Sequence, residues 1–296
     1  MIMIKKLITQ IRNVFAFKIN KLIHRILNVF GFEVTKLVRR PKNVPIFYND
    51  FDLNLGYDLE KEANALIKIV RKNTMLPYVN LITLFEQVIY CEKNSIEGDF
   101  VECGVWKGGA IGLMALANLN FGSKRRNIHL FDAFCEICAP DKEKDGEKVI
   151  RQVKDILGEK ANVSGEMVSL TGIYDSLGGP GSLEENTTLL EKVIKYPVAN
   201  INYHRGWFQN TVPKISKSIN KIAILRLDGD WYASTKVCLD NLYDKVVPGG
   251  FVIIDDYGCY EGCKKAVDEF LNEKNINVFI NYSSSHCRYW IKNNSN

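Results

Sequence analysis

The sequence predicts an α/β protein with a mostly parallel sheet and helices on both faces. Three observations carry this. From residue 99 to residue 275, short apolar runs alternate with helical segments, the pattern of a parallel sheet covered on both sides. Three of these runs end in acidic residues, Asp132, Asp228-Gly-Asp230 and Asp255-Asp256, and open α/β folds bind ligands at the carboxyl ends of their strands. The 296 residues are 46% apolar and 25% charged, an ordinary globular composition that excludes disorder and collagen.

Charge divides the chain. Residues 1–42 hold ten basic side chains and one acid, Glu33, a net +9. The remaining residues hold 29 basic and 33 acidic side chains, a net −4. Such a body is not suited to nucleic acid, which is bound by neutralising phosphates. In the basic arm Ile4, Ile8, Ile11, Phe15, Ile19, Leu22, Ile26 and Phe30 recur at steps of three and four, one apolar face of a helix. Two readings stay open: a helix that packs on the body or on a second subunit, and an interfacial helix on an anionic membrane leaflet.

The linker follows, with Pro41, Pro45, Asn49, Asp50 and Gly56, so 1–57 forms an arm and linker and 58–296 the main domain. Residues 58–72 and 77–93 read as helices. Phe100–Cys103 is a buried-type strand followed by glycines, and 110–121 is an apolar helix. Residues 127–132 (NIHLFD) form the second strand, and 135–165 a polar excursion with a helix inside it. Ser182 and Glu185 form a capping box that opens a helix to about Tyr196. Strands are expected at 201–205 and 222–227, then a helix at 233–245. Pro248-Gly249-Gly250 is expected to turn the chain into the strand 251–254. A helix at 261–273 and strands near 276–281 and 287–292 complete a seven-stranded sheet.

The eight cysteines include Cys135-x-x-Cys138 and Cys259-x-x-x-Cys263, but none of the four histidines lies at zinc-finger spacing from them. Reduced thiols in a cytoplasmic protein are expected, with the arm a candidate for the inner face of the membrane. No apolar run reaches about 18 residues, so no membrane span is expected, nor is a signal peptide.

The strand ends carry the chemistry. The 27 residues from Asp228 to Asp255 suit one strand–helix–strand unit, and neighbouring strands lie about 4.8 Å apart. Asp228, Asp255 and Asp256 should therefore converge, and carboxylates so close repel unless a cation sits between them. A hard divalent ion such as Mg²⁺ answers this. Single aspartates also cap helices, yet Asp-Gly-Asp and Asp-Asp on successive strands exceed what capping needs. Asp230, past a glycine, can take the proton of a metal-held hydroxyl; the alternative is a cap on the helix near Tyr232.

Glu102-x-Gly104 lacks the G-x-G-x-x-G cradle for a pyrophosphate. It fits a cofactor with a cationic amino-acid tail, such as S-adenosyl-L-methionine, with Asp132 placed for ribose hydroxyls. Trp207 and Phe208 would line an adenine or serve as core aromatics.

These motifs resemble the macrocin O-methyltransferase family. The likeness runs through Thr74-Met75, Gly98-Asp99-Phe100-Val101-Glu102-Cys103-Gly104-Val105-Trp106-Lys107-Gly108-Gly109, Gly206-Trp207-Phe208, Leu225–Thr235 and Pro248–Gly258. It covers roughly residues 70–292. The resemblance implies a class I, Rossmann-like methyltransferase that uses S-adenosyl-L-methionine and Mg²⁺ to methylate a hydroxyl of a sugar or glycan. A membrane site for the arm, a separate hypothesis, would fit a glycan acceptor carried on a lipid. It implies Asp228, Asp255 and Asp256 as metal ligands and Asp230 as the general base. Glu102, Gly104, Gly108 and Asp132 would serve the cofactor, with Trp207 and Phe208 at the adenine and Thr74 and Met75 in a cover over it. A homo-oligomer is expected. The stretch 133–181 departs from the family and should shape the acceptor pocket. Catechol-type methyltransferases share the metal logic but place a lysine where Trp231 stands here. A phenolic acceptor, or a non-catalytic membrane-associated scaffold, are the alternatives.

Overall fold

The computed structural model describes residues 55–293; the basic arm and most of the linker lie outside them. Two helices lead in, α1 (Glu60–Val70) and α2 (Tyr78–Lys93). Then come β1 (Asp99–Cys103), α3 (Gly109–Phe121), β2 (Ile128–Asp132), α4 (Gly146–Leu157), α5 (Leu183–Thr187), β3 (Ile201–Arg205) and α6 (Phe208–Ile215). The chain continues with β4 (Ile222–Leu227), α7 (Tyr232–Leu242), β5 (Val246–Ile254), α8 (Glu261–Glu273), β6 (Asn281–Tyr282) and β7 (Arg288–Ile291). The sheet order is β3-β2-β1-β4-β5-β7-β6. Strands β1 to β5 are parallel, and β7 and β6 pair antiparallel at one edge. Strand order reverses between β1 and β4, so the crevice for a ligand opens at their carboxyl ends.

Side-chain alternation explains the layers. Phe100, Ile224 and Ile253 pack with α1, α2 and α3 on one face, whereas Val101, Leu225 and Ile254 pack with α6, α7 and α8 on the other. Helix α3 is apolar on every side and ten of its thirteen residues are buried, as a helix wedged between other helices and a sheet must be.

Three expectations need revision. Pro248-Gly249-Gly250 is not a turn before a strand; it lies inside β5 as an irregularity in the pairing with β4. There the amide of Gly249 bonds across to the carbonyl of Lys292 (2.8 Å), so the proline sits where no ladder donor is needed. The run 276–281 does alternate, with Ile276, Val278 and Ile280 packed on the core, but at the sheet edge only Asn281–Tyr282 is paired. The helix from Ser182 is capped as expected by reciprocal Ser182–Glu185 bonds, yet after Thr187 it widens into π-type turns over Thr188–Val193. No helix among the described residues is long and apolar enough to cross a membrane.

Candidate active site

The site is assembled where β1, β4 and β5 end. After Cys103 the chain enters a left-handed turn at Gly104 (φ +88°). Its amide bonds to the Phe131 carbonyl (2.8 Å), while the Asp228 amide bonds to the Cys103 carbonyl (2.8 Å). The ladder thus runs one residue past each strand and presses the two tips together. A Cβ at 104 would lie 1.8 Å from the Asp228 carbonyl oxygen, so only glycine fits there. Asp132, at the tip of β2, secures the same turn. Its Oδ2 accepts from the amides of Val105 (2.8 Å) and Trp106 (3.2 Å), and its Oδ1 from that of Phe134 (2.7 Å). Burial pushes the Asp132 carboxyl up to about 6 against these donors.

The acidic tips of β4 and β5 meet as the spacing requires. Oxygens of Asp228, Asp255 and Asp256 lie within 4.8 Å of one another. An all-carboxylate donor set of this size suits a hard divalent cation. The charge balance has a second member that the motifs do not announce. Arg226, 2% exposed, donates through Nη1 to Glu102 Oε1 (2.6 Å) and Asp228 Oδ2 (2.9 Å), and through Nη2 to Asp255 Oδ1 (2.8 Å). Asp256 Oδ2 accepts instead from the Asp230 amide (3.2 Å). Each of the three carboxylates therefore has one oxygen fixed by a protein N–H.

Burial dominates the electrostatics. It raises Glu102 to about 7 although Arg226 opposes the shift. It raises Asp255 to about 6, with Asp228 adding to it and Arg226 opposing. Asp256 and Asp230 are driven well above the usual carboxylate range by burial first and by their acidic neighbours second. Asp230 also adopts a left-handed backbone (φ 55°), a conformation that aspartate tolerates better than most residues.

The excursion after β2 forms the opposite wall. Short bridges at Cys138–Ser169 and Asp141–Ser164 close it on itself, and Val149 and Val153 of α4 pack with Trp231 in a small cluster. Two bonds moor it to the β4 tip. Trp231 Nε1 donates to the Cys138 carbonyl (2.8 Å), and buried Asp145 Oδ1 accepts from the Tyr232 amide (2.7 Å), capping α7 from across the fold. Glu136 accepts from the amides of Gly172 (3.2 Å) and Tyr174 (3.3 Å), holding Tyr174 at the cavity.

A cavity of about 410 Å³ lies between this wall and the strand tips, within the usual range for small-ligand sites. Of the residues singled out from sequence, Met75, Gly104 and Asp132 line it, as do Trp207, Phe208, Asp228 and Asp230. Asp255 and Asp256 stand beside Asp228, behind the lining. Glu102 is 1% exposed and turned to Arg226; Thr74 is buried with its hydroxyl accepting from the Leu76 amide (3.1 Å). Gly108 caps α3 away from the lining. Sequence reasoning passed over Arg226, Asp145 and Glu136. For Arg226 a signal existed, since a lone charge inside an apolar strand requires a buried partner.

The sequence matches the macrocin-O-methyltransferase (TylF) family over residues 65–172 and 193–292. It is 34% identical over 223 residues to the demethyldecarbamoylnovobiocin O-methyltransferase of Streptomyces niveus, covering 75% of this chain and 73% of that one. It is 28% identical over 239 residues to the mycinamicin III 3''-O-methyltransferase of Micromonospora griseorubida, covering 79% and 81%. The structure of the O-methyltransferase NovP superposes with a TM-score of 0.63 at 28% identity, over 80% of this chain and all of that one. With that match over most of its length, the chain belongs to the macrocin-O-methyltransferase family, as an O-methyltransferase of class I fold.

Proposed function

We propose that the protein transfers a methyl group from S-adenosyl-L-methionine to a hydroxyl of a sugar, assisted by a divalent ion. The observation that carries this reading is the meeting, in one cavity, of the Gly104 turn, Asp132 and the Asp228–Asp230 loop. No described residue lining that cavity is basic, whereas Asp132, Glu136, Asp228 and Asp230 are acidic. That field favours a cationic sulfonium donor and disfavours a diphosphate.

Asp228, Asp255 and Asp256 would hold the ion, which when bound lowers the pKa of a coordinated hydroxyl. Asp230 takes the acceptor's proton as the acceptor oxygen bonds to the donor methyl, the sulfur–methyl bond breaks and S-adenosylhomocysteine leaves. Gly104 turns its backbone along the cavity wall, where the methionine portion of the donor would lie. Met75, Trp207 and Phe208 supply apolar surface for the adenosine. Trp231 fills the position of the catechol-type lysine, and its indole is spent on the Cys138 carbonyl, which favours a sugar over a phenol.

The test is transfer of labelled methyl to a panel of neutral glycosides, sugar nucleotides and catechols. Sugar hydroxyls should be methylated, and Asp230→Asn should lower turnover by at least about 100-fold while S-adenosylhomocysteine binds as before. Methylation of catechols alone would refute the acceptor class, and unchanged turnover would remove Asp230 from the mechanism.

A further inference from the structure

We infer that Arg226 is the positioning residue of the divalent-ion site, an inference that rests on Asp228, Asp255 and Asp256 holding such an ion. Arg226 is buried in β4, whose five other residues are all apolar. Its guanidinium meets carboxylates from three adjacent strands: Glu102 in β1, Asp228 after β4 and Asp255 after β5. Glu102 and Arg226 stand directly opposite in the β1–β4 register, and Glu102 anchors the guanidinium through Nη1, the nitrogen that also reaches Asp228. The guanidinium is planar and carries its donors in a fixed fork. With Nη1 on Asp228 and Nη2 on Asp255, the covalent geometry of one rigid group spaces two ligand carboxylates, and each keeps a second oxygen for an ion.

Arg226 has no lone pair to offer a metal, and its charge repels a dication. Its contribution is therefore geometry. Mg²⁺ requires near-octahedral ligands at about 2.0–2.1 Å, while Ca²⁺ accepts irregular sites at about 2.3–2.6 Å. A fork that fixes the ligands acts on Mg²⁺ more than on Ca²⁺, so Arg226 sets ion selectivity as well as affinity.

The test uses the full chain and Mn²⁺ followed by electron paramagnetic resonance, with Mg²⁺ and Ca²⁺ as competitors. Arg226→Lys keeps the charge and loses the fork. It should weaken Mg²⁺ by about 10-fold or more, the usual scale for residues that orient metal ligands, and Ca²⁺ by less, so that the Mg²⁺/Ca²⁺ preference falls. If the lysine variant does not fold, the joint replacement Glu102→Leu with Arg226→Met removes one charge of each sign. Replacing a buried ion pair by apolar side chains of similar volume is often neutral for folding, and Mg²⁺ affinity should fall in the same way. Unchanged Mg²⁺ affinity, or equal losses for both ions, overturns the inference. Wild-type protein that takes up no Mn²⁺ overturns the metal reading itself and this inference with it, and that result is seen before any variant is made.

Discussion

Substituting alanine at Gly104 separates the backbone requirement of the β1 tip from its steric one. Alanine there must hold φ near +88°, which costs about 1–2 kcal/mol. Its Cβ must also move from 1.8 Å to at least 3.0 Å from the Asp228 carbonyl oxygen, a retreat of about 1.2 Å by backbone on both sides. Overpacking of this kind costs about 1–3 kcal/mol, for a total of about 2–5 kcal/mol. Gly158 provides the control. It too has a positive φ (+57°, with ψ −125°) but has nothing within 4 Å of a Cβ, so Gly158→Ala should lose only the backbone part, about 1–3 kcal/mol. Urea unfolding of both variants measures the difference. Because the retreat displaces Asp228 from Asp255 and Asp256, turnover of Gly104→Ala should fall by about 100-fold, the penalty for misplacing reacting groups by about 1 Å. Turnover of Gly158→Ala should not change. Equal stability of the two variants, or full activity in Gly104→Ala, would refute the argument that the β1 and β4 tips are in compressed contact.

Two further outcomes follow from the fold. Asp145→Ala leaves the half-buried amides of Asp141 and Tyr232 without their acceptor; at about 1–3 kcal/mol each, offset by relief of burying the carboxyl, the loss should be about 2–3 kcal/mol. Because Asp145 ties the excursion to α7, the acceptor KM should rise while S-adenosylhomocysteine affinity holds, and the reverse pattern would contradict this. His204, half-buried against Phe131 and bonded to His129 Nδ1 (3.0 Å), is lowered to about 4 by burial and then by the charge of His129. Its neutral form favours the fold, so its share of stability is complete above about pH 6.5 and is lost as pH falls toward 4. His204→Gln should flatten denaturation profiles in that window, and parallel profiles would deny His204 the role.

Much of the architecture is legible because parallel strands buried on both faces leave a plain signal: FVII is uninterrupted, IAILRL is broken only by Arg226, and the helices between them have the right length. The aspartates stand out for the same reason, as charges at the ends of apolar runs. Arg226 is hidden inside such a run, and its meaning depends on Glu102, which lies 124 residues earlier and reads as part of a cofactor motif. Pro248-Gly249-Gly250 looks like a turn because proline and glycine usually mark one; only the strand partner shows that they form an irregularity. The wall built by the excursion after β2 is the least legible part. Its position is set by contacts such as Trp231 to Cys138, 93 residues apart, which no local pattern encodes.

In the proposed mechanism the aspartates of the β4 and β5 tips gather around a divalent ion on which methyl transfer depends. Exhaustive chelation followed by stepwise return of Mg²⁺, with labelled methyl transfer to a sugar acceptor as the readout, measures this directly. Transfer should disappear in chelator, return with Mg²⁺ in the wild type, and fail to return in Asp255→Asn. Transfer that continues undiminished in excess chelator would contradict it.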